Sequence, residues 1–346
     1  MESKLNYRPF FRVPKPSPKV AVEDKNTFFL KEGTKVEFSE EFPDTLFLIH
    51  PELSYQESVV ELPRARSLIA TEPTEIEPSA LSLLLRHEVP VVFFSNTGEF
   101  LGRLDPKRSK RMDLMQAQFN ASEEQRILFA KFVIWGNLRN VRFFLNCRNL
   151  DNELVKTNVK IIDESIAQIF NCDTVEQLFG YQGRGLARYY ESFETKLVFS
   201  GWGFKRNENN PINAMMDFCN QLLEQLAYTA LLAAGLNPDI GILHRTGLVH
   251  DLCAEYKGVI DAIVVRCINH RRVSLKDFEE RWESKFLPPQ VARILTESFE
   301  RRMTERFQYP VLKFPCTYQE SLFIQAQQIA LFLSGEISEY CPLSWR

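Results

Sequence analysis

The sequence lacks the features that would assign it to a membrane, a secretion pathway or a cysteine-based metal site. No apolar run reaches the length of about 18 residues that a membrane-spanning helix needs, and charged residues stand near the N-terminus where a signal peptide has its apolar core. The seven cysteines are scattered and form no CxxC pair, which excludes a cysteine-based zinc site and is typical of reduced core residues in a cytoplasmic protein. The formal net charge of −3 provides no global attraction to nucleic acid, so such binding must depend on local basic patches.

What is present predicts an α+β fold with two domains, which the length of 346 residues also favours. Residues 1–25 contain four prolines and no hydrophobic periodicity, and they are interpreted as a flexible leader or linker. Residues 26–104 alternate short apolar runs with turn residues, which predicts a small N-terminal β domain with one covering helix over residues 78–87. From residue 105 to residue 346 the apolar spacing is helical, which predicts an all-α C-terminal domain. The predicted helices of that domain span 112–119, 122–147, 155–170, 173–179, 184–193, 211–234, 251–269, 274–284, 289–307 and 318–333.

The most informative stretch runs from residue 210 to residue 244. Asn210 suits a helix N-cap and Pro211 a first helical position, apolar residues follow at three- and four-residue spacing, and Gly235 suits the helix end. A short apolar run then ends at His244, and Asp251 and Glu255 follow on the next predicted helix. One histidine and two carboxylates held together would suit a metal site, and a core helix with a polar loop fits the same spacing equally well.

Several segments, in this order along the chain, resemble the CRISPR-associated integrase family, whose members form the larger subunit of the complex that inserts new spacers into CRISPR arrays. The segments are PVVFFSNTGEFLGRL, AKFVIWGNLRNVRFFL, LFGYQGRGLARYYESF, NPINAMMDFCNQLLEQLAYTALLAAGLNPDIGILH and HDLCAEYKGVIDAIVVR. The resemblance covers residues 27 to 327 approximately. It implies endonuclease and strand-transfer chemistry with Mg or Mn, in which a 3′-hydroxyl attacks a phosphodiester. It also implies a homodimer, a small CRISPR adaptation subunit as partner, and DNA as both prespacer duplex and CRISPR repeat.

In this family a glutamate, a histidine and a second acid hold the cation. The matching positions here are Gln182, His244 and Ala254, with Asp251 and Glu255 flanking Ala254 on the same predicted helix. The resemblance therefore implies His244, Gln182 and Glu255 as catalytic positions and His244, Glu255 and Asp251 as metal ligands, although Asp251 is better suited to a helix N-cap. Mg and Mn prefer anionic oxygens, whereas Gln182 offers a neutral carbonyl and Ala254 offers no ligand.

Three interpretations follow from these departures. The chain is an integrase with impaired chemistry, or a catalytically silent relative that retains DNA binding or assembly. Without the resemblance it is a helical scaffold with a β docking domain.

Basic residues form several local clusters that the resemblance implies contact DNA phosphates. Solvated faces and helix C-termini explain the same residues without DNA. Trp202 and Phe204 suit either stacking on a base or ordinary packing. The predicted DNA-binding residues are Arg108, Arg111, Arg139, Arg142, Arg184, Arg188, Lys205 and Arg206.

Overall fold

The computed structural model describes residues 25–52, 59–107, 111–147, 152–206, 208–244, 246–278, 286–309 and 315–344. Apart from Lys25, the predicted leader therefore lies outside the described residues, as does Arg108. None of the described helices is long and apolar enough to cross a membrane.

The N-terminal region forms two four-stranded sheets with strand orders β1-β5-β7-β8 and β4-β3-β2-β6. The strands are β1 Asn26–Leu30, β2 Lys35–Phe38, β3 Thr45–Ile49, β4 Val59–Glu61, β5 Ala65–Thr71, β6 Glu75–Ile76, β7 Val91–Phe94 and β8 Phe100–Leu104. In the first sheet β1, β5 and β7 run parallel and β8 returns antiparallel to β7. Helix α1, Pro78–Arg86, begins with a proline at a position that needs no N–H donor, and it buries Ala80 and Leu84 against the smaller core.

Both faces of the first sheet are covered, and for this reason nearly every residue of β5 is buried. Leu68 and Ala70 point into the core that α1 covers, whereas Ile69 belongs to the larger core of the helices. Phe94 continues that larger core from β7 and meets Phe218 edge to face at 6.2 Å. The two predicted domains therefore share packing across this sheet, and the boundary at residue 104 stays a prediction.

The remaining described residues are mainly helical. The helices are α2 Met112–Phe119, α3 Glu123–Asn146, α4 Glu153–Gln168, α5 Val175–Phe193, α6 Pro211–Ala233, α7 Leu248–Ala254, α8 Lys257–Asn269, α9 Pro289–Thr304 and α10 Tyr318–Leu333. The sequence signals for the helix starts are confirmed at two positions: Ser122 and Gln125 form a capping box, and Asn210 accepts a hydrogen bond from the Asn213 N–H.

The all-α prediction for residues 105–346 needs correction, because strands β9, Arg306–Gln308, and β10, Pro315–Thr317, form a short antiparallel pair. The predicted helix over 289–307 accordingly ends at Thr304. Phe307 on β9 stacks on Tyr318 with ring centroids 4.3 Å apart, so this pair is held by packing against α10. The predicted helix over 274–284 is a 3-10 turn at Leu275–Phe278, and residues 279–285 lie outside the described part of the chain.

Two further helix boundaries differ from the prediction. Helix α5 is continuous where a break was predicted between residues 179 and 184. Its Gly185 faces Leu138 of α3 so closely that an added Cβ would lie 2.6 Å from Leu138 Cδ2. The glycine permits a close helix approach and does not end the helix. The predicted helix over 251–269 is instead two helices, α7 and α8, separated at Glu255 and Tyr256.

Candidate functional site

A buried carboxylate organises the loop between α6 and α7. Asp251 is fully buried, and its Oδ2 accepts hydrogen bonds from the N–H groups of Ile242 and Leu243, each at 3.0 Å. Its Oδ1 accepts from the His244 N–H at 2.8 Å. Three neighbouring backbone donors are therefore satisfied by one side chain, which fixes the path of the loop. The N-cap role predicted for Asp251 is wrong, because α7 begins at Leu248 after Gly247.

The same carboxylate orients the ring of His244. His244 Nδ1 lies 2.6 Å from Asp251 Oδ1. Because a carboxylate oxygen is an acceptor, this contact assigns the Nδ1–H tautomer to the neutral imidazole, and in that form Nε2 keeps its lone pair. The side chain is 29% exposed and its ring rests on Phe179 of α5, with centroids 5.7 Å apart. His244 thus presents Nε2 beside α5.

Gln182, one turn after Phe179 on α5, is connected to Ala254 through Asn137 of α3. Gln182 Nε2 donates to Asn137 Oδ1 at 3.3 Å, and Asn137 Nδ2 donates to the Ala254 carbonyl at 2.7 Å. The three positions singled out by the resemblance are therefore neighbours in space. Asn137 was missed in the sequence, where the only signal is a polar residue within the apolar run FVIWGNL of α3. It is 2% exposed, and its amide links the other two positions.

Glu255 takes part in a different network. It is fully buried, its Oε1 accepts from the Tyr340 hydroxyl at 2.6 Å, and its Oε2 accepts from Gln325 Nε2 and the Leu343 N–H, each at 2.7 Å. Burial raises the pKa of the Glu255 carboxyl from 4.5 to about 8, against the opposing hydrogen bonds from Tyr340, Leu343 and Gln325. Glu255 therefore holds the segment after α10 against the junction of α7 and α8.

The metal-ligand roles predicted for Glu255 and Asp251 stay predictions, and the present hydrogen bonds of both side chains bear on them. Both oxygens of Glu255 are bonded to α10 and the following segment, and both oxygens of Asp251 are bonded to the loop and to the His244 ring. Either side chain would have to give up buried hydrogen bonds to reach a cation.

The residues present do not fit the Mg or Mn site that the resemblance implies. Among the described residues, no three His, Cys, Asp or Glu side chains lie close enough together to hold a metal ion. At the three positions that match the family pattern, the side chains offer only His244 Nε2 and the neutral Oε1 of Gln182 as ligand atoms, because Ala254 has none. Hard divalent cations bind through several oxygens, with carboxylates supplying the charge, and two neutral donors provide neither.

The predicted DNA-binding residues are mostly paired with carboxylates. Exposed ion pairs of this kind add little to stability, so these side chains can exchange a carboxylate for a phosphate at little cost. Arg139 stacks on the Trp135 ring at 4.8 Å. The ion pairs are Arg111–Asp113, Arg142–Asp163, Arg184–Glu164, Arg188–Glu191, Lys205–Glu208 and Arg206–Asp217.

Two aromatic residues with a suggested role in base stacking are part of the core. Trp202 and Phe204 are each 6% exposed. Trp202 meets Phe278 at 6.3 Å, and Phe204 lies 4.7 Å from the ring of Phe193. The packing interpretation of both residues is confirmed.

Comparison with known proteins identifies the family of this chain. A sequence model of the family described as CRISPR associated protein Cas1 matches residues 44–301. The chain belongs to the Cas1 family. The family resemblance seen in the sequence is thereby confirmed.

Two relatives match this chain over nearly all of their own length. The CRISPR-associated endonuclease Cas1 3 of Thermus thermophilus is 27% identical over 340 residues, covering 94% of this chain and 97% of the relative. The CRISPR-associated endonuclease Cas1 of Leptospira interrogans is 29% identical over 253 residues, covering 67% of this chain and 100% of the relative.

Solved structures show the same fold at low sequence identity. A casposase bound to integration product superposes with a TM-score of 0.72 at 19% identity, covering 92% of this chain and 94% of that chain. A Cas1 protein from Thermotoga maritima gives a TM-score of 0.69 at 17% identity, covering 93% of this chain and 100% of that chain. A Cas6-RT-Cas1–Cas2 complex gives 0.70 at 17% identity, covering 94% of this chain and 36% of that chain.

Proposed function

We propose that this Cas1-family chain acts in CRISPR spacer acquisition as a catalytically silent subunit that binds DNA and takes part in assembly. Its DNA partners are a prespacer duplex and the CRISPR repeat, and its protein partners are a second copy of itself and the small adaptation subunit. The fold shared with a casposase bound to integration product and with a Cas1–Cas2 complex supports these partner classes. A role at the CRISPR array corresponds to a cytoplasmic location.

The observation that carries the silent assignment is the hydrogen bond from Gln182 to Asn137. Asn137 must direct its Nδ2 toward the Ala254 carbonyl, which leaves its Oδ1 facing Gln182. That oxygen needs a donor, which the Gln182 amide supplies and an ionised glutamate does not. The pocket around residue 182 is thus matched to an amide, and the methyl group of Ala254 adds no ligand. Since strand transfer requires a cation to stabilise the attacking oxygen and the phosphorane, we infer that this donor set does not support it.

A second candidate is an enzyme with impaired Mn-dependent strand transfer. The observation that favours it is His244, whose ring is oriented by Asp251 and whose side chain is partly exposed. Mn tolerates nitrogen ligands better than Mg does. In this interpretation His244 and the Gln182 carbonyl would bind the ion together with DNA phosphate oxygens.

An integration assay separates the two candidates. A labelled duplex with a free 3′-hydroxyl is incubated with supercoiled target DNA in Mg and, separately, in Mn, using the unmodified chain, His244→Ala and the double variant Gln182→Glu, Ala254→Glu. We expect the unmodified chain to bind the duplex and to form no strand-transfer product. Product that forms in Mn and disappears with His244→Ala would refute the silent assignment. If the unmodified chain does not bind the duplex even at low salt, the proposed role in DNA binding is refuted as well.

A further inference from the structure

A concave site lies between α8 and α9, and four of its nine lining residues are arginines. The cavity has a volume of about 280 Å³. It combines four arginines and a histidine with a single carboxylate. These residues are Arg266, Arg272, Arg301, Arg302, His270 and Glu305.

The arginines come from three separate parts of the chain. Arg266 is in the last turn of α8, Arg272 follows the end of that helix, and Arg301 and Arg302 are in the last turn of α9. A helix C-terminus carries about half a negative charge, which favours nearby cations in general. Two such ends account for a total of roughly one positive charge and not for four arginines in one cavity.

Carboxylates neutralise only part of the remaining charge. Arg266 Nη1 lies 3.1 Å from Glu305 Oε1, and Arg302 donates to the other oxygen of the same carboxylate. Arg272 donates to Glu297 Oε2 at 2.9 Å, beside the cavity. Arg301 is exposed and makes no ion pair with the described residues. Among the described residues, four guanidiniums therefore share two carboxylates, which leaves this part of the site positive even next to two helix ends.

The hydrogen-bond donors at the site also outnumber the acceptors. Each guanidinium carries five N–H groups, and a carboxylate shared between two arginines satisfies few of them. The Nε of Arg302 is buried and meets no acceptor among the described residues. Ser298 forms part of the cavity wall, and its hydroxyl accepts from Arg272 while donating to the Ile294 carbonyl.

We propose that this cavity binds a phosphate group. Guanidinium groups pair with phosphate through paired N–H donors, and a tetrahedral phosphate can accept from several directions, whereas the two oxygens of a carboxylate lie in one plane. Arginines that approach from α8, from the turn after it and from α9 suit the tetrahedral geometry. The phosphate belongs either to a DNA backbone or to a free phosphate monoester. The inference does not depend on the His244 site. Its DNA-backbone alternative rests on the proposed DNA binding, whereas its phosphate-monoester alternative does not.

Charge-removing variants on the exposed side of the cavity test the inference. Arg266→Gln and Arg301→Gln, singly and together, leave Arg302 on the Tyr318 ring, where it contributes to packing at 4.5 Å. The matched control is Arg86→Gln, which removes one exposed positive charge at the end of α1, far along the chain from the cavity. Circular dichroism and thermal unfolding without phosphate establish that each variant is folded.

Two probes are then applied to the same proteins. The first probe is inorganic phosphate, compared with chloride at equal ionic strength. We expect phosphate to raise the melting temperature of the unmodified chain and of Arg86→Gln. Its effect on the melting temperature of the double variant should be much smaller. A labelled DNA duplex is titrated over a range of salt concentrations. If the phosphate belongs to the DNA backbone, the double variant binds the duplex several-fold more weakly, and its log–log salt slope falls by about 1 to 2.

The outcomes distinguish the two sources and allow refutation. A reduced salt slope assigns the cavity to a DNA phosphodiester. A lost phosphate effect with unchanged DNA binding assigns it to a free phosphate monoester. The proposal is overturned if the double variant matches the unmodified chain with both probes, or if Arg86→Gln weakens both responses as much as the double variant does.

Discussion

Replacing Glu255 with glutamine should remove a large part of the pH dependence of stability. Glu255 is fully buried, and its neutral form is the one favoured in the folded protein, where burial raises its pKa from 4.5 to about 8. Glutamine has nearly the same shape and stays neutral at every pH. Its oxygen can accept from Gln325 Nε2 and the Leu343 N–H, and its amide can donate to the Tyr340 hydroxyl. Glu255→Gln therefore mimics the protonated carboxyl.

The sign of the effect follows from proton counting. Between pH 4.5 and about 8 the folded chain holds the Glu255 proton and the unfolded chain has released it. The free energy of unfolding therefore falls as the pH rises through this window and is constant with respect to this group above and below it. One pKa unit is worth about 1.4 kcal/mol, so a shift of this size corresponds to a loss of about 5 kcal/mol across the window.

Urea unfolding of the unmodified chain and of Glu255→Gln at several pH values between 4 and 9 measures this contribution. The difference between the two curves isolates Glu255, because all other groups titrate in both proteins. We expect the variant to be similar to the unmodified chain near pH 5 and more stable by several kcal/mol at pH 9. The control Glu99→Gln changes an exposed carboxyl and should leave the pH profile unchanged. A variant that is equally destabilised at pH 5 and pH 9 would refute the reasoning, since it would show that Glu255 acts as a hydrogen-bonded carboxylate throughout.

Three more substitutions test the site and its supporting helices. Asp251→Ala leaves three loop N–H groups without their acceptor and should reduce the free energy of unfolding, measured with denaturant, by about 3–6 kcal/mol. The control Asp239→Asn, at an exposed carboxyl in the same loop, should change it by less than about 0.5 kcal/mol. Equal losses in the two variants would contradict this prediction. Gln182→Glu places an acceptor against Asn137 Oδ1 and should lower the free energy of unfolding by about 1–3 kcal/mol at pH 7. The stability should recover near pH 4, where the protonated carboxyl can donate a hydrogen bond. A loss of stability that does not depend on pH would indicate a different cause. Gly185→Ala places a Cβ 2.6 Å from Leu138 and should destabilise the chain by about 1–3 kcal/mol. Gly183→Ala, with open space around it, should stabilise the chain by about 0.5–1 kcal/mol. If both variants change the stability in the same direction, helix propensity alone decides the effect.

The parts of the fold that could be predicted from the sequence are those with local signals. Helix α6 begins at Pro211, after the predicted cap Asn210, and Gly235 follows its end with a positive φ of 84°. The sequence predicts two helices, over 173–179 and 184–193, where the structure has the single helix α5. The contact of Gly185 with Leu138 on α3 decides otherwise, and no neighbour in sequence reveals it.

The candidate site shows the same division between local and distant information. Spacing placed His244 beside a carboxylate, and the structure brings it to Asp251, seven residues away. Spacing placed Glu255 beside them too, because one continuous helix was predicted there. Glu255 instead bonds to Gln325, Tyr340 and Leu343, far along the chain, at the break between α7 and α8. No pattern near Glu255 encodes partners that are 70 to 88 residues distant.

Around His244, the side chain that stabilises the fold differs from the positions at which the family pattern expects cation ligands. Asp251 is buried, and its four hydrogen bonds hold the loop and the imidazole in one orientation. Those bonds stabilise the fold whether or not a cation is bound, because they satisfy backbone donors that would otherwise be buried without a partner. The positions of Gln182 and Ala254 carry no such structural demand for negative charge, and the Asn137 amide is satisfied by a neutral donor and a carbonyl. A neutral residue at each of these two positions thus leaves the scaffold intact, which the catalytically silent role that we propose requires.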